Sequence, residues 1–176
     1  MANISVSDSS GSSSDEADAL LKSLDSQREH VIGILDGLSG EALRQPVLPS
    51  GWNCLGLVQH LTLDVEDLWF RQVVAGETDD PGSEEHFQSS WQVAPQVRLE
   101  AVFDRCRQAI KRSNQVIVNT ALEAELGAWP DFFGEWRLPN LRAVVLHVIT
   151  ETACHAGHLD ADREMLDGRK WLTLPS

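Results

Sequence analysis

Residues 143–168 read AVVLHVITETACHAGHLDADREMLDG and carry the pattern that decides the fold. The run is apolar at most positions, shows no strand-like alternation, and lies between a good N-cap residue, Asn140, and Gly168. At 100° per residue, its titratable side chains share one strip about 80° wide: His147, Glu151, His155 and His158. The pattern predicts a helix that is apolar nearly all round and central in its fold.

Three more stretches have helical periodicity, which predicts helices over residues 15–38, 53–74 and 95–126. Asn53 is a suitable N-cap for the second of these helices, and Pro95 is typical of a first helical turn. Residues 1–14 are rich in Ser, Gly and Asp and are expected to form a disordered tail ahead of a single domain at residues 15–176. Connections of about 13 to 20 residues favour a bundle over a helical solenoid. The predicted fold class is therefore all-α, a four-helix bundle.

Two connectors differ sharply in composition. Residues 76–90 are acidic and are expected to lie in solvent. Residues 127–140, GAWPDFFGEWRLPN, are too aromatic for a free loop and are expected to fold back onto the bundle. The aromatic side chains are either core cover or the wall of a substrate site.

Composition excludes several functions. The chain has 176 residues, 42% of them hydrophobic, and a formal net charge of −13. This charge argues against binding to nucleic acid or to an anionic membrane. No apolar run is long enough to span a membrane, and the N-terminus lacks the features of a secretory signal. Three cysteines without a CxxC spacing are expected to be small core residues, and the predicted location is the cytoplasm.

The strip on the last helix predicts a metal site. Burying a carboxylate and imidazoles without partners is unfavourable by several kcal/mol each, and a divalent cation resolves this. Glu151 and His155, one turn apart, can reach one ion. The best third ligand is His60, on the apolar side of the second helix, with Asp64 placed to orient it. His30 and His86 are weaker candidates, and the alternative is that Glu151 and His155 lie on an ordinary solvated face.

A family resemblance adds to this prediction. Residues 50–61, SGWNCLGLVQHL, and residues 147–168, HVITETACHAGHLDADREMLDG, resemble the DinB-like (YfiT-like) superfamily, in particular the branch with mycothiol-dependent maleylpyruvate isomerase. The resemblance implies an up-down-down-up bundle, often dimeric, with a metal at one end. Many members use three histidines; here His60 matches the first, and Glu151 with His155 replaces the HxxxH pair. It implies zinc as the expected ion, nickel or iron as alternatives, and His158 beside the ion.

The resemblance also implies a reaction. A low-molecular-weight thiol such as mycothiol would be the cosubstrate for S-transfer to, or isomerisation of, a small electrophile, with His158 or Asp64 orienting a ligand or relaying a proton. Candidate basic anchors for the thiol are Arg71, Arg142 and Arg163. The expected partners are a small-molecule substrate and a second copy of the chain in a homodimer. The alternatives are a metal-dependent hydrolase and a non-enzymatic metal-binding stress protein.

Overall fold

In the computed structural model, which describes residues 10–77 and 89–171, helices form at all four predicted stretches. The helices are α1 (Ser10–Gly33), a short α2 (Gly40–Arg44), α3 (Cys54–His60, continued by Leu61–Val74), α4 (Leu99–Asn119) and α5 (Leu141–Asp167). A single 3₁₀ turn, Asp131–Phe133, follows α4. No strand occurs within the described ranges, so the all-α prediction is confirmed.

The ends of α3 and α5 follow their capping residues. The Asn53 side chain accepts from the backbone N–H of Gly56 at 2.9 Å, and that of Asn140 accepts from Ala143 at 3.1 Å. Each bond satisfies one of the donors that a helix start leaves unpaired. At the other end of α5, Gly168 adopts φ +80°, the left-handed conformation that ends a helix. The predicted bounds of α5 are confirmed.

The predicted bounds of α3 are confirmed as well, whereas those of α1 and α4 differ from prediction. α4 begins at Leu99 and not at Pro95, and both helices end earlier than predicted because apolar burial continues beyond the helices themselves. α1 begins at Ser10, inside the predicted tail, and ends at Gly33 instead of residue 38. Ile34 and Leu35 are buried within the turn that follows. Their apolar spacing therefore reflects burial in a turn and not a longer helix. Likewise, α4 ends before the buried Leu122. Residues 1–9 of the predicted tail lie outside the described residues.

Contacts between the helices place two of them so that they can share a site. α1 packs on α5 and α4, and α3 packs on α4 and α5. Glu16 bonds to Arg142 and His30 to Asp160, so α1 and α5 run in the same direction. α3 runs opposite to α5, because His60 approaches His155 while Trp69, two turns on, approaches His147. The first half of α3 therefore faces the second half of α5.

α3 is wound more widely after its first two turns. Leu61–Val74 forms a π-helix, which begins directly after His60. Such windings are rare and are often found at functional sites. Nothing in the sequence predicted it.

α5 is not apolar and buried all round, which corrects the prediction that it is central. Its buried face carries Val144, Val148 and Leu159, while Leu146, Ala153 and Cys154 are exposed. The predicted strip lies at the boundary between these two faces. A site there is open to solvent on one side and walled by the bundle on the other.

None of the helices in the described ranges has the length and hydropathy needed to cross a membrane. The homodimer and the cytoplasmic location stay predictions.

Candidate functional site

His60 is oriented by a carboxylate one turn along α3. Its Nδ1 lies 2.7 Å from Oδ2 of Asp64, and the hydroxyl of Ser90 donates to the same oxygen. Because a carboxylate only accepts, His60 donates from Nδ1, and the neutral form of the ring therefore has its lone pair on Nε2, at the opposite edge. Carboxylates orient metal-binding histidines in this way. The structure thus places Asp64 where the sequence predicted a residue that orients His60.

The other two predicted ligands lie on α5. The ring of His155 lies 5.0 Å from that of His60, edge-on, and its Nε2 is 3.7 Å from a carboxylate oxygen of Glu151. The His155 side chain is 12% exposed and that of Glu151 42%. The two helices therefore bring both imidazoles together, with the carboxylate on the solvent side.

These side chains are close but do not form a closed ligand cluster. Among residues 10–77 and 89–171, no three His, Cys, Asp or Glu side chains are grouped so that they could hold one metal ion. The Glu151 carboxylate approaches His155, and no contact between it and His60 is seen. The three predicted ligands thus lie close to one another, and their use as a metal site stays a proposal.

The chemistry of the three residues fits a divalent cation. Burial, with smaller effects from His60 and His158, lowers the pKa of His155 to about 4, so this imidazole is neutral at pH 7. Metal ligation requires neutral imidazoles and ionised carboxylates. Two imidazoles and one carboxylate are a donor set that zinc uses at catalytic sites, with a fourth position open.

His158 borders this neighbourhood. Its Nδ1 is 3.4 Å from Nδ1 of His155, its ring lies 6.1 Å from that of Trp52, and it is exposed. This position agrees with the expectation that His158 lies beside the ligands. His30, in contrast, bonds to Asp160 at 2.9 Å on another face of α5, and His86 lies outside the described residues.

Sequence reasoning missed Trp91, which covers His60. The two rings are stacked, with centroids 4.0 Å apart and planes 19° from parallel. Stacking occupies a face of the imidazole and leaves its Nε2 edge open. The only sequence signal was a tryptophan directly after the acidic connector, a position for which no structure was predicted.

The segment that carries Trp91 is fixed to α3 on both sides. Gln59 donates from Nε2 to the carbonyl oxygens of Ser90 and Gln92, at 2.9 and 3.1 Å. At Gly56, a Cβ atom would overlap the carbonyl oxygen of Trp91, so only glycine permits this close approach. Ser90 is buried, which corrects the prediction that the whole connector lies in solvent; residues 78–88 lie outside the described part of the chain.

A second residue missed from sequence, Asp162, is fully buried near the start of α3. Its Oδ2 accepts from the Cys54 thiol at 3.4 Å, and its Oδ1 is buried without a hydrogen-bond partner. Burial raises the pKa of Asp162. Burial, with the nearby Asp162 charge, raises the pKa of the Cys54 thiol to about 12. Cys54 is therefore a protonated core thiol, as expected, and not a nucleophile.

The aromatic connector folds back onto the bundle as predicted. Phe133 stacks on Trp69 of α3, with centroids 5.3 Å apart, and Trp136 contacts both Trp69 and His147. Burial lowers the pKa of His147, and the Glu151 charge opposes the effect. These rings pack on one another. Their role as a substrate wall stays a hypothesis.

The three candidate arginine anchors have other contacts. Arg163 is buried and donates to the carbonyl oxygens of Ile34 and Asp36, and Arg142 pairs with Glu16 and Glu123. Arg71 lines a groove of about 360 Å³ between α3 and α4, away from the imidazoles. None of the three is positioned beside His60 or His155.

Comparison with known proteins gives the family. The family model described as Mycothiol-S-transferase matches residues 19–168, a span that includes both imidazoles, Glu151, Asp64 and Trp91. No curated protein and no solved structure matches the chain. The match covers most of the sequence and agrees with the predicted DinB/YfiT-like superfamily. The chain therefore belongs to the mycothiol S-transferase family.

Proposed function

We propose that this protein is a metal-dependent enzyme that uses mycothiol or a closely similar thiol to modify a small electrophile, by S-transfer or by isomerisation. One observation carries the proposal. His60 and His155, on two different helices, approach within 5.0 Å in a chain of the mycothiol S-transferase family. The metal and the electrophile are the parts of the proposal that require experiment.

The chain's own residues would hold the ion in complementary ways. His60 would use Nε2, because Asp64 accepts from Nδ1. His155 is kept neutral by burial, and Glu151 supplies the negative charge that partly balances a dication. A divalent ion bound there would lower the pKa of a thiol and so favour thiolate, the reactive form.

His158 would accept the thiol proton. It lies beside His155 and is exposed, so it can pass that proton to solvent. In S-transfer, the sulfur forms a bond to the electrophilic carbon, and the leaving group departs with its electron pair. In isomerisation, the sulfur adds to a carbon–carbon double bond, rotation follows, and elimination restores both the double bond and the thiol.

The test is thiol dependence. The purified protein is incubated with an electrophile such as chlorodinitrobenzene or an epoxide, with and without mycothiol, and product formation is followed. We expect turnover with mycothiol, loss of turnover after metal removal, and recovery when zinc is restored. Equal rates with and without thiol would instead favour a hydrolase, and retained activity in metal-free protein would remove the metal from the mechanism.

A matched pair of variants tests the residue assignment. His155→Ala should abolish thiol-dependent turnover, whereas His30→Ala should retain it, because His30 bonds to Asp160 away from the proposed ligands. Both variants remove one imidazole from the bundle, so equal loss in the two would indicate a general effect on folding.

A further inference from the structure

A small cavity opens directly beside the proposed site. Its volume is about 270 Å³, and five of the described residues line it: Ser50, Gly51, Trp52, Trp91 and Gln92. We call it the indole pocket. Trp91 also stacks on His60, and Trp52 lies near His158. Both indoles therefore connect the pocket to the proposed thiol site.

The two indoles are held by the fold. Trp91 is fixed because Ser90 and Gln92 on either side of it are tethered to α3 through Asp64 and Gln59. Trp52 immediately precedes Asn53, whose side chain caps α3. Aromatic surfaces that are already positioned bind a ligand with a smaller entropic cost than surfaces that must first be ordered.

The lining has a specific chemical character. Among the residues that the structure describes, it contains two indoles, a hydroxyl and a carboxamide, and no charged side chain. Ser and Gln side chains both donate and accept hydrogen bonds, while an indole offers a flat apolar face and one N–H donor. This combination suits an uncharged ring with C–H groups on its face and hydroxyls around its edge, which is the character of a sugar.

The size of the pocket indicates that it holds part of a ligand. Pockets that enclose a drug-sized molecule have volumes of about 300–1,000 Å³, and the indole pocket is smaller. We propose that the indole pocket binds the sugar portion of the thiol cosubstrate and thereby directs its sulfur toward His60 and His155. This inference rests on the proposed function.

The competing occupant is the electrophile. A pocket for an apolar electrophile would be expected to be enclosed and mainly apolar, whereas Ser50, Gly51 and Gln92 are exposed. The sugar therefore suits this lining better.

The experiment compares two thiols that differ in the sugar. Turnover of a fixed electrophile is measured with mycothiol and with N-acetylcysteine, in the native protein, Trp52→Ala and Gln92→Ala. We expect native protein to favour mycothiol in kcat/KM, and Trp52→Ala to reduce that preference about tenfold, which corresponds to about 1.4 kcal/mol. Trp171→Ala is the control, because Trp171 stacks on His30 outside the site.

A second measurement keeps the pocket testable apart from the reaction. Calorimetry with the thiol-free sugar fragment, glucosaminyl-inositol, should show binding to native protein and to Trp171→Ala, and weaker binding to Trp52→Ala. If no thiol supports turnover but the fragment binds in this pattern, the proposed function fails and the pocket assignment holds. If Trp52→Ala instead raises KM for the electrophile and leaves the thiol preference unchanged, the pocket belongs to the electrophile and the inference is wrong.

Discussion

Two polar clusters of the bundle differ in whether their side chains pair with one another. In the first, buried Arg28 of α1 donates from Nε and Nη2 to the two carboxylate oxygens of Glu66, both at 2.7 Å. Its Nη1 bonds to Asp25 and Asn114. The guanidinium is thus paired on every side. Burial is the largest single effect and lowers the pKa of Arg28, but Glu66 and Asp25 together raise this pKa by more.

The cluster at His60, Glu151 and His155 is built differently. It consists of two imidazoles and one carboxylate, and it contains no arginine or lysine that could pair with these groups. The comparison teaches that burial of polar groups alone does not identify a site. A cluster whose charges are paired by its own side chains stabilises the fold, whereas the cluster at His60, Glu151 and His155 would gain a cation only from the proposed metal.

The largest expected effect is on metal content in Glu151→Ala. Removing the only carboxylate of the proposed donor set should reduce bound zinc from about one ion per chain to near zero, and thiol-dependent turnover should fall with it. Because Glu151 is 42% exposed, the unfolding midpoint of metal-free protein should change little. Elemental analysis and urea unfolding measure the two quantities. Full metal retention would remove Glu151 from the ligand set.

The opposite pattern is expected in Arg28→Ala. Breaking a buried ion pair leaves an uncompensated charge, which costs about 3–5 kcal/mol of unfolding free energy. Metal binding by the molecules that fold should be unaffected. The double variant Arg28→Met/Glu66→Leu is the control, because replacing both partners by apolar residues is often neutral or stabilising. If Arg28→Ala unfolds like the native protein, the ion pair is not a stabilising element.

A smaller effect is expected from Asp64→Asn. The amide retains the shape of the side chain but is a weaker acceptor for the Nδ1–H of His60. Loss of such an orienting carboxylate typically weakens metal binding about 10–100-fold. Competition with a coloured chelator measures this affinity. Ser90→Ala, which removes the second bond to Asp64, should change the affinity in the same direction and by less.

The sequence predicted the parts of this site that depend on helical spacing. His155 lies one turn after Glu151, and Asp64 one turn after His60, so their helices alone bring them together. Trp91 could not be predicted, because its position depends on Gln59, Gly56 and a connector that returns to α3. Asp162 was hidden for a related reason: its burial is decided by packing against Cys54, which is distant in the chain.

The same distinction applies to the fold. α5 was predicted with correct bounds because its Asn cap and terminal Gly act locally. The end of α1 was not, because it depends on buried Arg163, whose guanidinium binds the carbonyl oxygens after Gly33. Long-range contacts of this kind leave no periodic signal. The apolar pattern marks buried residues. It therefore predicted too long a helix wherever a buried turn follows the helix.

The smallest effect concerns the cysteines, one of which lies beside the Arg28 cluster. Cys54 lies beside Asp162, and Cys106 lies near Glu66 and Arg28; burial raises the pKa of Cys106 to about 11. Since the thiolate is the reactive form, both should resist iodoacetamide at pH 8 in folded protein. Cys154 is exposed, which corrects the expectation that all three are core residues, and it should react first.

Mass spectrometry after timed labelling should therefore find one modified cysteine in native protein and three in urea. In Arg28→Ala, Cys106 should become accessible at a lower urea concentration than in native protein, because its protection requires the ion-paired cluster to remain packed. In Glu151→Ala, the labelling of both buried thiols should follow that of the native protein, because the site borders the core without supporting it. Rapid labelling of Cys54 in the folded Glu151 variant would show instead that the acceptor cluster and the core of the bundle are energetically coupled.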